Sequence, residues 1–260
     1  MLDFLKNKKD KSRFSLLYKI MKSKDLKFAT DNKSYFIAES GDGKPIWIWV
    51  SDEFDFQNLN ELFFVLKDFV SSEGVYRITT TPEIYELIKQ NSNYNINNYF
   101  EMGAYYCEKV VKPNKINCKL LLATKEDIDV LTHYRLLEIK ELEGFDEDYD
   151  KVYFELEQLI EKQVFYVLKV SDKIVCTAAI NVSDEFARIN RVYTPVDERC
   201  KGYAKFLIYN LTKQVLAQNL IPVLYTDYNY PASNKAYLAV GYEDVGKLIS
   251  FSIKNKYIKQ

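Results

Sequence analysis

The residues most able to do chemistry lie in one stretch, Val192-Tyr193-Thr194-Pro195-Val196-Asp197-Glu198-Arg199-Cys200-Lys201-Gly202-Tyr203-Ala204. A β-rich run stops at Pro195, a short loop carries Arg199 and Lys201, and Gly202 opens a long helical pattern. Such a junction aims free backbone N–H groups and the positive end of a helix dipole at one point, and a glycine lets the backbone come close to a bulky anion. The stretch contains neither the GxxxxGK[ST] of a nucleotide P-loop nor the three glycines of a dinucleotide fingerprint. What remains is a cradle for a pyrophosphate, with Lys205 one turn further on.

Here the chain resembles the GNAT superfamily of acyl-CoA-dependent N-acyltransferases, whose signature is Arg/Gln-x-x-Gly-x-Gly/Ala between a strand and a helix. Arg199, Gly202 and Ala204 match it. Upstream, Val192-Tyr193-Thr194-Pro195 is similar to the family's coenzyme-binding strand. Downstream, Pro231-Ala232-Ser233-Asn234-Lys235-Ala236-Tyr237 with Gly241-Tyr242 is similar to its last helix, which ends in Tyr-x-x-x-Gly-Phe/Tyr. The agreement in order and spacing covers residues 118–254, and the extra N-terminal region with a VYTP strand resembles a two-part bacterial subgroup.

The resemblance implies acetyl-CoA as co-substrate and an amine as acceptor, with no metal. It implies that backbone groups of Arg191, Val192 and Tyr193 pair with the pantetheine arm. The N–H groups of Cys200, Lys201, Gly202, Tyr203, Ala204 and Lys205 would hold the pyrophosphate, with Arg199, Lys201 and Lys205 supplying the charge that a nearly neutral chain otherwise lacks. Asn234 would lie near the pantetheine. Tyr237 would protonate the departing thiolate, since a phenol near pKa ~10 can donate to a thiol near ~8.5 as charge grows on sulfur. One departure stands out: the family often has Asn seven residues before this tyrosine, and this chain has Tyr230 there, beside Asn229. No general base stands out among Glu185, Asn190 and Asp227. Glu138, Glu141 and Glu143 fall where the family's acceptor-side helices occur, and read first as surface charge. His133 reads as a helix-surface or packing residue, and Cys200, facing the phosphates, as no acyl carrier.

The elements that must position these residues follow from periodicity. The second half reads as strand 118–123; a helix after Thr124, an N-cap with Glu126 and Asp127 in its first turn; helix 149–162; strands 165–170, 174–182 and 186–194; helix 202–218; strand 222–226; helix 232–240; and strand 245–253. The first half partly echoes this: strand 46–50, helix 59–69, strand 75–80, helix 82–89 opened by proline, and strand 104–111. The order matches the last five elements of the second half and suggests an internal duplication. The predicted fold class is α/β (α+β), a GNAT-like mixed sheet flanked by helices. The expected domains are residues 1–114, a degenerate copy, and 115–260, the acetyltransferase.

The first half lacks the cradle. Its junction reads Ser51-Asp52-Glu53-Phe54-Asp55-Phe56-Gln57, with three carboxylates and no glycine or arginine, which would repel a pyrophosphate. That half shapes the acceptor pocket, packs as a scaffold, or forms a homodimer. Trp47, Trp49, Phe54 and Phe56 could line a pocket, with core packing the default.

Composition bounds the remaining choices. With 260 residues the chain can bury a core without disulfides or metal. A hydrophobic share of 47% and a charged share of 28% exclude a disordered chain. A net charge of −1 argues against a nucleic-acid partner. Cys107, Cys118, Cys176 and Cys200 form no CxxC pair, and His133 is the only histidine, so zinc spacing is absent and the thiols suit a reducing cytoplasm. The basic N-terminus (Lys6, Lys8, Lys9, Lys11, Arg13) has no apolar run behind it and reads as a solvated helix rather than a signal peptide, and no apolar stretch is long enough for a membrane span. The rival to an N-acetyltransferase is a non-catalytic acyl-CoA-binding or scaffold protein. Such a protein would need the cradle but not a leaving-group acid.

Overall fold

The computed structural model describes residues 5, 7–31, 33–41, 43–51, 54, 59–70, 73–91 and 94–255. The chain forms two compact units. Of the first-half junction, only Ser51 and Phe54 fall among the described residues; Asp52, Glu53, Asp55, Phe56 and Gln57 lie outside them, as does Lys6 of the basic N-terminus.

The first unit comprises Met1–Tyr106, Tyr225–Pro231 and Asp244–Gln260. Its elements are α1 (Lys8–Arg13), α2 (Ser15–Ile20), β1 (Lys27–Thr30), β2 (Tyr35–Glu39), β3 (Ile46–Val50), α3 (Leu59–Phe69), β4 (Gly74–Thr80), α4 (Pro82–Asn91), β5 (Asn95–Tyr106) and, from the far end of the sequence, β11 (Glu243–Asn255). The alternation in Ile46-Trp47-Ile48-Trp49 sends successive side chains to opposite faces. Ile46 and Ile48 join Leu62, Leu66, Ile84 and Ile88 of α3 and α4, while Trp47 and Trp49 join Phe14 and Leu17 on the other face. Both tryptophans and Phe54 are therefore core residues. β3 and β4 are parallel, and β11 lies antiparallel to β4 with Ile249 opposite Thr80 and Phe251 opposite Ile78.

The second unit comprises Cys107–Leu224 and Ala232–Glu243. It holds β6 (Lys119–Leu122), α5 (Ile128–Glu143), α6 (Tyr149–Glu161), β7 (Phe165–Val170), β8 (Lys173–Ser183), β9 (Phe186–Tyr193), α7 (Tyr203–Ala217), most of β10 (Ile221–Asp227) and most of α8 (Pro231–Val240). Strands run in the order β10-β9-β8-β7-β6, antiparallel except for the parallel β10–β9 pair. Side chains alternate across this sheet. Ala179, Val167 and Ile174 pack under α5 and α6 with Leu131 and Leu156; Ala178, Leu168 and Ile189 pack under α7 with Leu207 and Leu211. Thr124 and Asp127 form a capping box ahead of α5.

Two differences from the sequence reading matter. The expected strand 104–111 is β5, which starts at Asn95 and stops at Tyr106. Beyond it the apolar Val110 and Val111 leave the strand, and the Val111 N–H donates to the Val240 carbonyl at 2.7 Å, beside the end of α8. The last strand, expected within residues 115–260, packs almost wholly in the first unit, because its Ile249, Phe251 and Ile253 complete the core under α3 and α4. β1 and β2 are additional to the sequence reading.

Candidate functional site

The site starts where β9 leaves its parallel partner. The β10–β9 register spans Ile221–Val223 against Phe186–Arg188, while β9 runs on to Tyr193. On its other side β9 pairs Asn190 with Ala179 and Tyr193 with Thr177, so Arg191 and Val192 together oppose a single residue. This is a β-bulge, and Arg191 adopts φ +52° within it. A bulge takes backbone groups out of the ladder and re-aims them. Arg191 is held in place by Glu155 of α6, to which its guanidinium donates.

Pro195 ends the strand, and a 3₁₀ turn, Val196–Glu198, follows. Cys200 (φ +62°) and Gly202 (φ +83°) are both left-handed, and they turn the chain into α7. Gly202 occupies the N-cap of α7, where an L side chain would be strained. A Cβ there would meet only Ile116 Cδ1, at 3.6 Å, so backbone conformation rather than crowding calls for glycine. A glycine cap brings no side-chain acceptor, and the first-turn N–H groups of a helix have no intrahelical partner.

The loop's cations face carboxylates. Arg199 donates from Nη1 and Nη2 to Glu141 at 2.8 and 2.5 Å, and from Nε to the Thr194 carbonyl at 3.0 Å. Lys201 donates to Glu198 at 2.9 Å, and Lys173 donates to Glu198 at 2.6 Å and to Asp197 at 3.0 Å. Hydrogen bonds from these two lysines hold the Glu198 carboxyl below its ordinary pKa. Lys205, Tyr203 and Ala204 are half-buried along the first turn of α7, and Cys200 is exposed. Beneath the loop, burial pushes the Cys176 thiol up to about 12, and Thr194 Oγ1 donates to it at 3.2 Å.

Tyr237 is buried on α8, with half-buried Asn234 one turn before it. Its ring meets that of Tyr242 edge-on, centroids 6.1 Å apart. Tyr242 is anchored by a 2.8 Å hydroxyl contact with Thr212 of α7, and burial raises its pKa. Gly241, between α8 and Tyr242, has φ +104°, and a Cβ there would stand 2.3 Å from the Lys109 carbonyl oxygen.

A cleft of about 480 Å³ lies between α5 and the end of β9. Tyr134, Leu137 and Glu141 line one side and Tyr193 and Val196 the other, with His133 at the edge. Tyr134 is fixed by donating to the Ile174 carbonyl at 3.0 Å, and its ring lies 5.9 Å from that of Tyr193. Burial raises the Tyr193 phenol against the opposing effect of Arg199. Glu138 is buried and paired with Arg135 at 2.8 Å. The Glu143 side chain lies outside the described residues. Among the described residues no group of three or more His, Cys, Asp or Glu could hold a metal, and no helix is long and apolar enough to cross a membrane.

Residues 132–242 match the model of the Acetyltransferase (GNAT) family. They form a GNAT acetyltransferase domain. The fold of the chain is similar to that of solved members of this family. A GNAT-family acetyltransferase from Colwellia psychrerythraea has a TM-score of 0.60 at 18% identity, over 88% of this chain and 85% of the other. A GCN5-related N-acetyltransferase from Kribbella flavida has a TM-score of 0.58 at 11% identity, over 95% and 96%. A Drosophila protein has a TM-score of 0.66 at 9% identity, over 95% and 87%. No curated protein matches the chain.

Within the GNAT domain, the structure brings Arg191, Val192, Tyr193, Arg199, Cys200, Lys201, Gly202, Tyr203, Ala204 and Lys205 into one continuous path from the bulge to the head of α7. Arg199 and Lys201 belong to that path but turn towards Glu141 and Glu198. The bulge and Tyr134 were missed in the sequence. Arg191 carries no glycine to signal a left-handed residue, and Tyr134 sits in a helix whose sequence shows only a general apolar pattern.

Proposed function

We propose that the GNAT domain transfers an acetyl group from acetyl-CoA to an amine by direct attack in a ternary complex. The observation that supports this best is the run from the bulge at Arg191 to the left-handed Cys200 and Gly202. It combines re-aimed strand amides with an uncapped head on a 15-residue helix. The residues fit the coenzyme in kind: amides of Arg191, Val192 and Tyr193 for the pantetheine, amides of Cys200 to Lys205 with the Lys205 ammonium for the pyrophosphate, and Asn234 beside them.

Acetyl-CoA supplies the acetyl group already activated as a thioester. The chain's part is orientation and charge. A backbone N–H near Val192 and Tyr193 stabilises the oxyanion, a contribution of ~3 kcal/mol in comparable acyl transfers. Tyr237 donates its phenolic proton to the leaving sulfur, with its ring held by Tyr242. The acceptor attacks as the free amine; the carbon–sulfur bond breaks as the carbon–nitrogen bond forms, and the proton the nitrogen then sheds passes to water. The enzyme is cytoplasmic, and its first unit is a degenerate copy that has lost coenzyme binding and serves to shape the acceptor pocket, as a scaffold, or in a homodimer.

The test is release of free thiol from acetyl-CoA over a panel of amines, with acetyl-CoA affinity measured by calorimetry. Amine-dependent thiol release supports the transferase. Tight binding without release on any amine points to an acyl-CoA-binding protein, and absence of binding overturns the reading.

A further inference from the structure

The motif alone would give Arg199 to the phosphates, yet its guanidinium is committed elsewhere. Both terminal nitrogens reach Glu141 on α5, 58 residues earlier in the sequence, at 2.8 and 2.5 Å. Nε reaches the carbonyl of Thr194, the residue just past the end of β9, at 3.0 Å. The Cζ atom stands 6.0 Å from the centre of the Tyr193 ring. One planar fork therefore ties the loop to a strand end and to a helix. The bidentate match is particular to arginine, because a lysine is a point charge without a fork. The loop's second tie, Lys173 and Lys201 on Glu198, follows the same pattern of cation held by carboxylate.

We infer that Arg199 and Glu141 form a strut that sets the shape of the phosphate-binding loop, and that Glu141 is a positioning residue for coenzyme affinity. The inference rests on the coenzyme reading given above. The strut fixes the entry into the two left-handed residues, Cys200 and Gly202, and so the aim of the N–H groups at the head of α7. A ligand role for Arg199 makes the opposite prediction. In that case Glu141 competes with the phosphates for the guanidinium, and neutralising it frees Arg199 to bind them more tightly.

The sign of the change decides between them. Coenzyme A would be titrated by calorimetry into wild type, Glu141→Gln, Arg199→Gln and the double variant, with thermal midpoints of the ligand-free proteins recorded alongside. Both partners are about one-third exposed, so the expected effect is modest. Each single variant should weaken coenzyme A about fivefold. The double variant should be no weaker than the poorer single, because both remove the same link. The ligand-free midpoints should stay together, which separates loop positioning from general destabilisation. Tighter or unchanged binding in Glu141→Gln, losses that add in the double variant, or a fall in affinity matched by a fall in midpoint overturns the strut and leaves the coenzyme reading standing. A wild type that does not bind coenzyme A overturns both.

Discussion

The hydroxyls of Thr212 and Tyr242 lie 2.8 Å apart in the core, linking α7 to the residue after Gly241. Tyr242 in turn meets Tyr237 ring edge to ring face at 64°. The ring of the proposed acid is thus packed against an anchored neighbour. Tyr237→Phe should keep the packing, leave coenzyme affinity nearly unchanged, and lower turnover by roughly 10²-fold. The loss should appear in kcat and kcat/KM together, because the contact strengthens only as sulfur gains charge. Steady-state kinetics on a confirmed amine checks this; full turnover in the variant would make Tyr237 a packing residue.

Gly202→Val is expected to weaken coenzyme binding while the domain stays folded. The neighbouring Ile116 leaves room for a Cβ, so the penalty comes from φ +83°. Forcing a β-branched residue there costs on the order of 1–3 kcal/mol, unless the loop relaxes and misaims the α7 amides. Circular dichroism with calorimetry tests the pair of outcomes. Unchanged acetyl-CoA affinity in a folded variant would remove the cradle assignment.

Gly241→Ala should be far more damaging. Here φ is +104° and the added carbon would lie 2.3 Å from backbone oxygen, which cannot swing aside as a side chain can. A loss of about 3 kcal/mol or more is expected from strain and overpacking together. Urea denaturation reads it directly, and a loss below 1 kcal/mol would mean that the Lys109 segment is not held there.

Asp127 gives a pH-dependent test. Burial alone would raise its pKa, but the Lys169 ammonium and the Thr124 backbone N–H outweigh this and hold it below the ordinary carboxylate value. A lowered folded-state pKa contributes stability that is fully present above the unfolded value of ~3.9 and is lost as pH falls through the folded value. Asp127→Asn should therefore be less stable than wild type at neutral pH, and the gap should close below about pH 4. Thermal unfolding from pH 7 to pH 2.5 follows it; a gap constant across that range would rule out the charged contact.

The second unit was the more legible half. Its strands are short, largely apolar runs bounded by turns, and Thr124 with Asp127 marks a helix start in both sequence and structure. Arg199, Gly202 and Ala204 were visible because helix-head geometry demands a glycine at a fixed place. β5 was misplaced because Asn95, Asn97 and Asn98 are poor strand formers whose run is carried by pairing, with Asn98 left-handed at φ +51°. The partner of Arg199 was not legible, since several glutamates are equally eligible in sequence and only the packing of α5 selects Glu141, 58 residues away.

The place of β11 has a consequence for synthesis. Its Ile249 pairs with Thr80, about 170 residues earlier, and it completes the core under α3 and α4. At the usual 5–20 residues per second, β4 waits on the order of ten to thirty seconds on the ribosome for this neighbour. Until then an apolar strand edge stands open, the condition under which nascent chains aggregate or recruit chaperones. The first unit is therefore the earlier half to be translated but cannot be the earlier half to finish folding.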